Sequence, residues 1–562
     1  MLEKRIALFV ILTFLVAGLA ACSQAPAPAP EPAAQATEAP AQPAAKPTEA
    51  PAQAAVQPTE VPVTSEGAGT PKQGGTLTIA QPLEPFTLDS RVDPKVEGIV
   101  ALAQIMEGLI GKDLKTGKTI PVLAESMEVS PDGTTYTFKL RKGIKFHDGT
   151  EFDSEDVLFT FEFLTGARKG SIYAPQYQPN IKSIEAPDKY TFVVTLNTPW
   201  EDFESLLINH WATKILSKEA VEKAGDTYGQ NGAVGTGPFM FKEWVKGDHV
   251  TLVRNPDYWQ EGLPNVDSVV YQRVPDGPVR IVNVKSGDAD IAFQPPLDQL
   301  TQVAQDPALQ VICAPGNPQV FITFNTSVPP FDNKAARQAI AYALDRQQLV
   351  QSVYGDYAEV AVDMFPAWHW HYDPNYQGWS RDPEKAKELL AEAGYTDSNP
   401  LSFELVTLNE AEYRDLGVLI QAQLAEVGIN VELRPMESKA LVDYRKTDDW
   451  KADVGRYILP STISDDYMWK QFGAKGPLNP MHYNQEGGYQ NPKVEEMLNK
   501  ARTSTREEAR SLYRELVDLI TEDMPRVRIA YKKNCEVGGL DVRNLQVQGT
   551  DVFPVKEVWL DR

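Results

Sequence analysis

Carboxylate and imidazole groups carry most acid–base and metal chemistry in proteins, and this chain contains 77 acidic residues but only six histidines. Asp465 and Asp466 are adjacent and could act as a general acid and base, as paired carboxylates do in glycosidases. Neighbouring acids on a loop more often cap a helix or face solvent. The six histidines are scattered, and no Gly-x-Ser-x-Gly or Cys-x-x-Cys spacing occurs. We therefore predict no catalytic activity, no cofactor and no metal site.

The amino terminus has the pattern of a lipoprotein export signal. Lys4 and Arg5 precede the apolar residues 6–19, which are too few for a typical membrane span. The run ends in Leu19-Ala20-Ala21-Cys22, where small residues suit a processing peptidase and the Cys22 thiol could carry a lipid. An uncleaved anchor helix with a chance cysteine is the alternative. We predict a signal peptide over residues 1–22 and a lipid on Cys22.

A low-complexity tract follows the cysteine. Residues 23–72 are dominated by Ala, Pro, Gln, Glu and Thr and contain few large apolar side chains. Such a tract cannot bury a core, so we expect a disordered tether with polyproline character. Residue 23, directly after the cysteine, is Ser and not the Asp that retains lipoproteins on the inner membrane of some Gram-negative cells. The sequence therefore leaves open which membrane holds the anchor.

Composition limits the remaining possibilities. A chain of 562 residues with 42% hydrophobic content can fill two or three cores. The net charge of −23 argues against a nucleic-acid partner, whose phosphates would be repelled. Cys313 and Cys535 could form a disulfide or remain two separate buried thiols, and their spacing does not decide between these.

Secondary-structure signals indicate a mixed α/β fold. Tyr136, Phe138 and Leu140 alternate as in a strand, and Asp153 precedes an apolar run as a helix cap does. Residues 401–408, 410–427 and 429–433 read as strand, helix and strand, a βαβ unit. Asp382-Pro383 and Gly394 are start and stop signals of a further helix. Such units predict open sheets with a ligand crevice at the strand ends.

A series of motifs in residues 124–162 and beyond is specific to one family. They include Pro131-Asp132-Gly133, Phe146-His147-Asp148-Gly149, Gly235-Thr236-Gly237-Pro238-Phe239, Arg254-Asn255-Pro256-Asp257-Tyr258-Trp259, Gly287-Asp288-Ala289-Asp290-Ile291, Phe324-Asn325-Thr326 and Asn491-Pro492. In this order they resemble the solute-binding proteins of peptide and nickel ABC importers, family 5, over about residues 73–562. His147 lies within one of these motifs, and the resemblance implies a structural role for it rather than a metal-binding one.

The resemblance implies a two-lobed fold of the periplasmic binding protein type, type II, in the large class with an extra subdomain. The expected limits are 73–113, 235–317 and 531–562 for lobe I, 114–234 for the extra subdomain and 318–530 for lobe II. Two chain crossings, near Pro318 and Tyr531, would form the hinge. Closure around a ligand would then be the signal that a membrane permease reads.

Residues 454–469 occupy the place where peptide receptors of this family recognise their ligand. Arg456 and Tyr457 match an Arg and an aromatic residue there, whereas the Asp that pairs with a peptide amine falls on Thr462. Asp465 or Asp466 could replace it if the loop shifts. The predicted ligand-binding set is completed by the aromatic residues Trp368 and Trp370 and by Leu83 and Tyr531.

The sequence thus predicts a lipid-anchored, extracytoplasmic receptor of an ABC importer. A peptide is the expected ligand, and an oligosaccharide is the alternative because the chain offers Trp368, Trp370 and other aromatic stacking surfaces. A lipid-anchored hydrolase would require a nucleophile and a base within reach of each other. A surface adhesin would usually contain internal repeats, and none is found. We expect a monomer whose partners are the ligand, the permease and the lipid.

Overall fold

The computed structural model describes residues 69–92, 95–113, 117–447, 449–458, 464–476, 479, 488–549 and 552–562, with backbone alone at 95–96, 457–458 and 464–466. The predicted signal peptide, Cys22 and most of the predicted tether lie outside these ranges. Within the described ranges, no helix has the length and apolarity required to cross a membrane. The first described residues already contact the globular part, because Lys72 forms an ion pair of 2.8 Å with Asp561.

A seven-stranded mixed sheet forms what we call the first lobe. Its strands in spatial order are Leu309–Ala314, Asn534–Gly539, Ile291–Ala292, Thr76–Gln81, Ser268–Arg273, His249–Arg254 and Phe239–Val245. The central strand, Thr76–Gln81, is parallel to both of its neighbours. One face of the sheet packs against the helix Lys95–Ile105 and the other against the helix Gly277–Ser286.

A six-stranded sheet forms the second lobe. Its strands in spatial order are Ala358–Val360, Arg526–Lys532, Pro318–Phe324, Ala452–Ile458, Ser402–Leu408 and Asn430–Met436. Four helices cover one face of this sheet, namely Lys334–Ala343, Arg346–Tyr354, Pro383–Glu392 and Ala411–Ala425. The helices Ser464–Phe472, Pro492–Ala501 and Arg506–Asp523 build a second core together with Tyr531 and the loop 361–379.

A four-stranded antiparallel sheet forms a subdomain inserted into the first lobe. Its spatial order is Ala124–Val129, Thr135–Leu140, Thr191–Leu196 and Ile181–Asp188. Phe138 and Phe192 of this sheet pack against Phe161 of the helix Ser154–Thr165. The subdomain therefore has a core of its own.

The remaining elements are short. The helices are Ala174–Tyr177, Phe203–Asn209, Lys218–Ala224, Leu300–Val303 and Ser438–Tyr444, with 3₁₀ turns at Trp211–Thr213, Gly225–Thr227, Leu297–Gln299 and Gly355–Tyr357. Two small antiparallel pairs join Ile110–Lys112 to Thr119–Pro121 and Val542–Arg543 to Trp559–Leu560.

The local predictions are confirmed where they rest on capping and periodicity. Asp153 caps its helix in a reciprocal capping box with Asp156. Asp382 accepts a hydrogen bond from the Lys385 N–H, with Pro383 in the first helical turn. The βαβ unit is present, because the strands Ser402–Leu408 and Asn430–Met436 pair in parallel.

The chain passes between the two lobes twice, at neighbouring positions. It leaves the strand Leu309–Ala314 and enters the strand Pro318–Phe324 after three residues, and it returns through Lys533 alone. A Cβ atom on Gly316 would collide with the carbonyl oxygen of Lys532, so the two crossings lie against each other and require glycine there. Tyr531 itself still belongs to the second sheet. The predicted lobe limits at 317/318 and 530/531 remain predictions.

Cys313 and Cys535 form a disulfide bond in the first lobe, with their Cα atoms 4.1 Å apart. They are direct partners in the register of the two strands that lead into and out of the crossings. The sequence left this pairing open, and the antiparallel register, which residue spacing could not reveal, decides it.

Candidate functional site

Both sheets present strand ends at the edge where the crossings lie. In the first lobe, three strands run parallel to the strand Leu309–Ala314, from which the chain crosses to the second lobe. These strands end at Gln81, Arg273 and Ala292, at the same edge as the crossing. In the second lobe, strands ending at Leu408 and Ile458 reach the edge where the other crossing begins. Ligands of open α/β sheets bind outside such strand ends. The two edges are therefore the candidate site.

The edge of the second lobe is charged. Arg456, 42% exposed in its side chain, holds Nη1 at 3.7 Å from Oε2 of Glu410. Lys532 Nζ donates to both carboxylate oxygens of Glu412, at 2.8 and 3.0 Å. Glu410 and Glu412 flank the start of the helix Ala411–Ala425. This edge can therefore pair with either charged end of a small ligand.

The edge of the first lobe is apolar and rigid. Leu83 and Phe86 are 53% and 76% exposed in the loop that follows the central strand. The Glu84 carboxylate between them accepts hydrogen bonds from the Gly247 N–H at 2.9 Å and from Trp244 Nε1 at 3.1 Å. These donors lower the pKa of Glu84. The loop is thus held in place while it presents two apolar side chains to solvent.

For four of the predicted ligand-binding residues, the structure describes no side chain. Thr462 lies outside the described residues. Tyr457 is described only by its backbone, opposite Gln319 in the sheet. Asp465 and Asp466 begin the helix Ser464–Phe472, again as backbone alone. The replacement of the amine-binding Asp therefore remains a prediction.

Trp368 contacts the first crossing, whereas Trp370 packs against residues of the second lobe. Trp368 Nε1 donates to the carbonyl oxygen of Gly316 at 3.1 Å, within the first crossing. The Trp370 ring lies 3.5 Å from the His371 ring, centroid to centroid, and the Arg506 guanidinium lies 4.3 Å above it. Both indoles are half-buried. Their surroundings are polar protein groups rather than a free aromatic platform.

Tyr531 is buried in the second lobe, away from solvent. Its hydroxyl donates to the carbonyl oxygen of Met364 and accepts from Gln319 Nε2 at 2.8 Å. Tyr467 donates to the same Gln319 at 2.8 Å. A small cavity beside this network is lined by Gln319, Met364, Tyr467, Phe472, Ile520, Arg526 and Arg528. These lining residues include no serine, cysteine, histidine or carboxylate, so the cavity has no nucleophile and base pair.

His147 has a structural environment, as the resemblance implied. Its Nε2–H donates to the Gly237 carbonyl oxygen at 2.9 Å, and its Nδ1 accepts from the Gly235 N–H at 3.3 Å. Burial lowers the pKa of the imidazole to about 4. Nearby Glu107 accepts from Tyr258 and Trp259, both at 2.9 Å. Three of the sequence motifs therefore meet where the subdomain joins the first lobe, and His147 is not available to a metal there.

Among the described residues, no group of three His, Cys, Asp or Glu side chains is arranged to hold a metal ion.

Sequence reasoning missed Glu410, Glu412 and Lys532. The signal for the two acids was present, because they follow a predicted strand in a βαβ unit, and ligand sites form at that position. Lys532 lies 120 residues away from Glu412 in sequence, and only the fold brings them together.

Comparison with known proteins assigns the family. Residues 118–479 match the model of bacterial extracellular solute-binding proteins, family 5. The chain belongs to this family. The glutathione-binding protein GsiB of Salmonella paratyphi A is 32% identical over 434 residues, covering 76% of this chain and 83% of that protein. This solute-binding protein thus aligns with most of its relative's length.

Solved structures agree with the family assignment. The ABC transporter-associated periplasmic binding protein DppA of Helicobacter pylori, in complex with the peptide STSA, is 28% identical with a TM-score of 0.71, covering 87% of this chain and 99% of that one. The oligopeptide-binding protein AppA of Bacillus subtilis, in complex with a nonapeptide, is 26% identical with a TM-score of 0.69, covering 88% and 100%. The two-lobed α/β fold expected from the sequence is confirmed.

Proposed function

We propose that this solute-binding protein captures a peptide between its two lobes and delivers it to the permease of an ABC importer. The observation that carries the proposal is the pair of strand edges beside the crossings. The edge of the second lobe is charged through Arg456, Glu410, Glu412 and Lys532, and the edge of the first lobe is apolar through Leu83 and Phe86. A peptide has charged ends and apolar side chains, which complement these two edges. The peptide and glutathione ligands named for the related proteins support the same class.

Arg456 is the proposed anchor for a ligand carboxylate. Its planar guanidinium can donate two parallel hydrogen bonds, and its side chain stays 42% exposed beside Glu410 at 3.7 Å, within reach of a ligand. Glu410 and Glu412 offer acceptors for a ligand amine. They could serve in place of the Asp that the sequence does not supply at Thr462.

An oligosaccharide is less well supported. Sugar recognition would rely on open aromatic faces, and Trp370 has the Arg506 guanidinium on its ring while Trp368 donates its N–H to the protein backbone. A hydrolase would require a nucleophile beside a base, and no such pair is found among the described residues of the cavity and of the two edges.

The anchor and location belong to the same proposal. We propose that Cys22 is the lipidated amino terminus of the mature protein and that residues 23–72 tether the lobes to the cell membrane, on its periplasmic side or on the outer face of the cytoplasmic membrane. The support is the Leu19-Ala20-Ala21-Cys22 motif and the composition of the tract. The proposed receptor acts as a monomer.

A ligand-capture experiment tests the proposed function. Protein without residues 1–22 is unfolded, washed free of any bound molecule, refolded and incubated with a mixture of peptides of 2–10 residues or with a mixture of oligosaccharides. Native mass spectrometry then identifies what is retained. Retention of peptides is expected, and retention of sugars alone, or of nothing from either mixture, would refute the peptide assignment.

A further inference from the structure

His371 of the second lobe and Glu201 of the subdomain form a buried contact between parts that the chain does not connect directly. His371 Nε2 lies 3.3 Å from Oε2 of Glu201, and the two side chains are 1% and 0% exposed. The contact spans 170 residues of sequence.

Chain connectivity does not enforce this contact. The subdomain is inserted in the first lobe, and the second lobe joins the first only through the crossings at 315–317 and 533. Rotation about two adjacent crossings would separate His371 from Glu201 without disturbing any strand. The contact is therefore a property of the arrangement of the lobes and not of their individual folds.

Both partners are held rigidly by their own part of the protein. Glu201 follows Trp200, whose ring stacks on Phe203 with centroids 5.7 Å apart in the subdomain core. The loop that carries His371 is fixed by Asp363, which accepts from the Asp373 N–H at 3.0 Å and from Arg514 Nη1 at 2.9 Å. Two preorganised groups lose little conformational freedom when they meet.

The surroundings have the anatomy of a specific interface. The His371 ring packs against Trp370, Phe365 and Tyr513, with centroids at 3.5, 5.1 and 4.5 Å. At the more exposed border, Arg506 Nη1 lies 3.8 Å from Oε2 of Glu204. The Arg506–Glu204 ion pair is thus a second contact between the same two parts, and it lies at the polar border of the buried pair.

The surroundings of His371 favour its neutral form, because burial lowers the pKa of the imidazole. Arg506, Arg510 and Arg514 of the helix Arg506–Asp523 act on His371, as does His369 of its own loop, and all disfavour a charged imidazole. Burial is the largest cause of the lowered pKa of His371. The contact therefore joins a neutral imidazole to the carboxyl group of Glu201.

We propose that the Glu201–His371 contact is a latch that stabilises the closed arrangement of the lobes and thereby sets the affinity for the ligand. The proposal rests on the proposed function, since it assumes that a ligand is captured by closure. A latch raises the population of the binding-competent state, and apparent affinity scales with that population. Glu201 and His371 are positioning residues that need not touch the ligand.

A double-mutant cycle tests the latch. Glu201→Leu and His371→Phe each remove one partner and leave the other buried without its hydrogen bond in the closed state. Each should weaken peptide binding about tenfold, whereas the double variant should lose much less than the product of the two effects. Glu204→Gln, three residues away at the exposed rim, is the matched control and should change binding by less than about twofold.

Small-angle X-ray scattering of the unliganded and peptide-bound forms provides the second readout. We expect each single variant to be more open than the wild type while its melting temperature stays within about two degrees, because each part keeps its own core. Effects that multiply in the double variant, or single variants with unchanged scattering and affinity, would overturn the latch. If the wild type bound no peptide at all, the proposed function would fail, and the scattering of the unliganded variants would still decide on the latch.

Discussion

Cys313 and Cys535 are bonded to each other directly before and after the two crossings that join the lobes. Both cysteines belong to strands of the first lobe. The crossing residues 315–317 and 533 lie between these strands and the second lobe. The disulfide therefore fixes where the two hinge strands leave the first lobe but does not bridge the hinge itself. Its presence also agrees with an extracytoplasmic protein, because disulfides persist in oxidising compartments.

Reduction of this disulfide should lower stability more than it lowers ligand affinity. Releasing a closed loop with a sequence separation of 222 residues removes a constraint on the unfolded chain. We expect a loss of about 2–4 kcal/mol in the free energy of unfolding. Thermal melts with and without reductant measure it. The double variant Cys313→Ala/Cys535→Ala should already melt at the lower temperature and ignore the reductant, and a reductant-sensitive double variant would contradict the assignment.

Arg456→Ala should weaken peptide binding tenfold or more. A charge-assisted hydrogen bond contributes about 1.5–3 kcal/mol, and about 1.4 kcal/mol corresponds to one decade of affinity. Arg434→Ala is the control, since Arg434 forms a comparable exposed ion pair with Glu404 at 3.3 Å on the outermost strand of the same sheet. If Trp368→Ala or Trp370→Ala reduced affinity more than Arg456→Ala while the fold was retained, stacking rather than charge would dominate recognition.

Acidification should destabilise the junction around His147. The pKa of this imidazole falls from 6.5 to about 4 on burial, so the unfolded chain takes up the proton first. Neutral, buried His147 therefore contributes to the free energy of unfolding in full above pH 6.5. This contribution, at most about 3 kcal/mol, is lost as the pH falls from 6.5 towards 4. Burial raises the pKa of Asp156 to about 7, so this residue has the opposite effect: it lowers the free energy of unfolding as the pH rises towards 7.

The difference between the wild type and His147→Asn isolates this effect. Unfolding free energies from denaturant titrations between pH 4 and 7 should converge as the pH falls, because the variant has no imidazole to protonate. Parallel curves over the whole range would mean that His147 is protonated equally in the folded and unfolded states.

The lipid anchor is tested at Cys22. Export-processed wild-type protein should fractionate with membranes, and Cys22→Ala should be released into the soluble fraction, because no other thiol is available at the end of the signal sequence. Ser23→Ala is the matched control and should remain on the membrane. A Cys22→Ala variant that fractionated like the wild type would show that the protein is held by other means.

Much of the fold could be predicted from local signals, because caps, turns and periodicity act over a few residues. Asp153, Asp382 and the βαβ unit at 402–436 were all predicted and are present. The motifs around His147 identified the family although they form a structural junction rather than a ligand site. Their residues satisfy each other's buried polar groups, which explains a specific pattern without catalytic chemistry.

The site was harder to predict because it depends on contacts between distant segments. Trp368 and Trp370 form an aromatic cluster in sequence, but whether such residues face a ligand or another lobe depends on the lobe arrangement. Lys532 and Glu412 meet only through the order of the strands in the second sheet. The disulfide likewise required the register between Cys313 and Cys535.

Calorimetric titration of the soluble protein, starting after Cys22, tests the central claim most directly. Peptides of increasing length and a set of oligosaccharides are titrated in separate experiments under identical conditions. The account predicts saturable binding of one peptide per protein molecule, with no heat of binding from the sugars. Saturable binding of a sugar together with no response to any peptide would contradict the peptide assignment and leave a solute-binding protein with a different ligand.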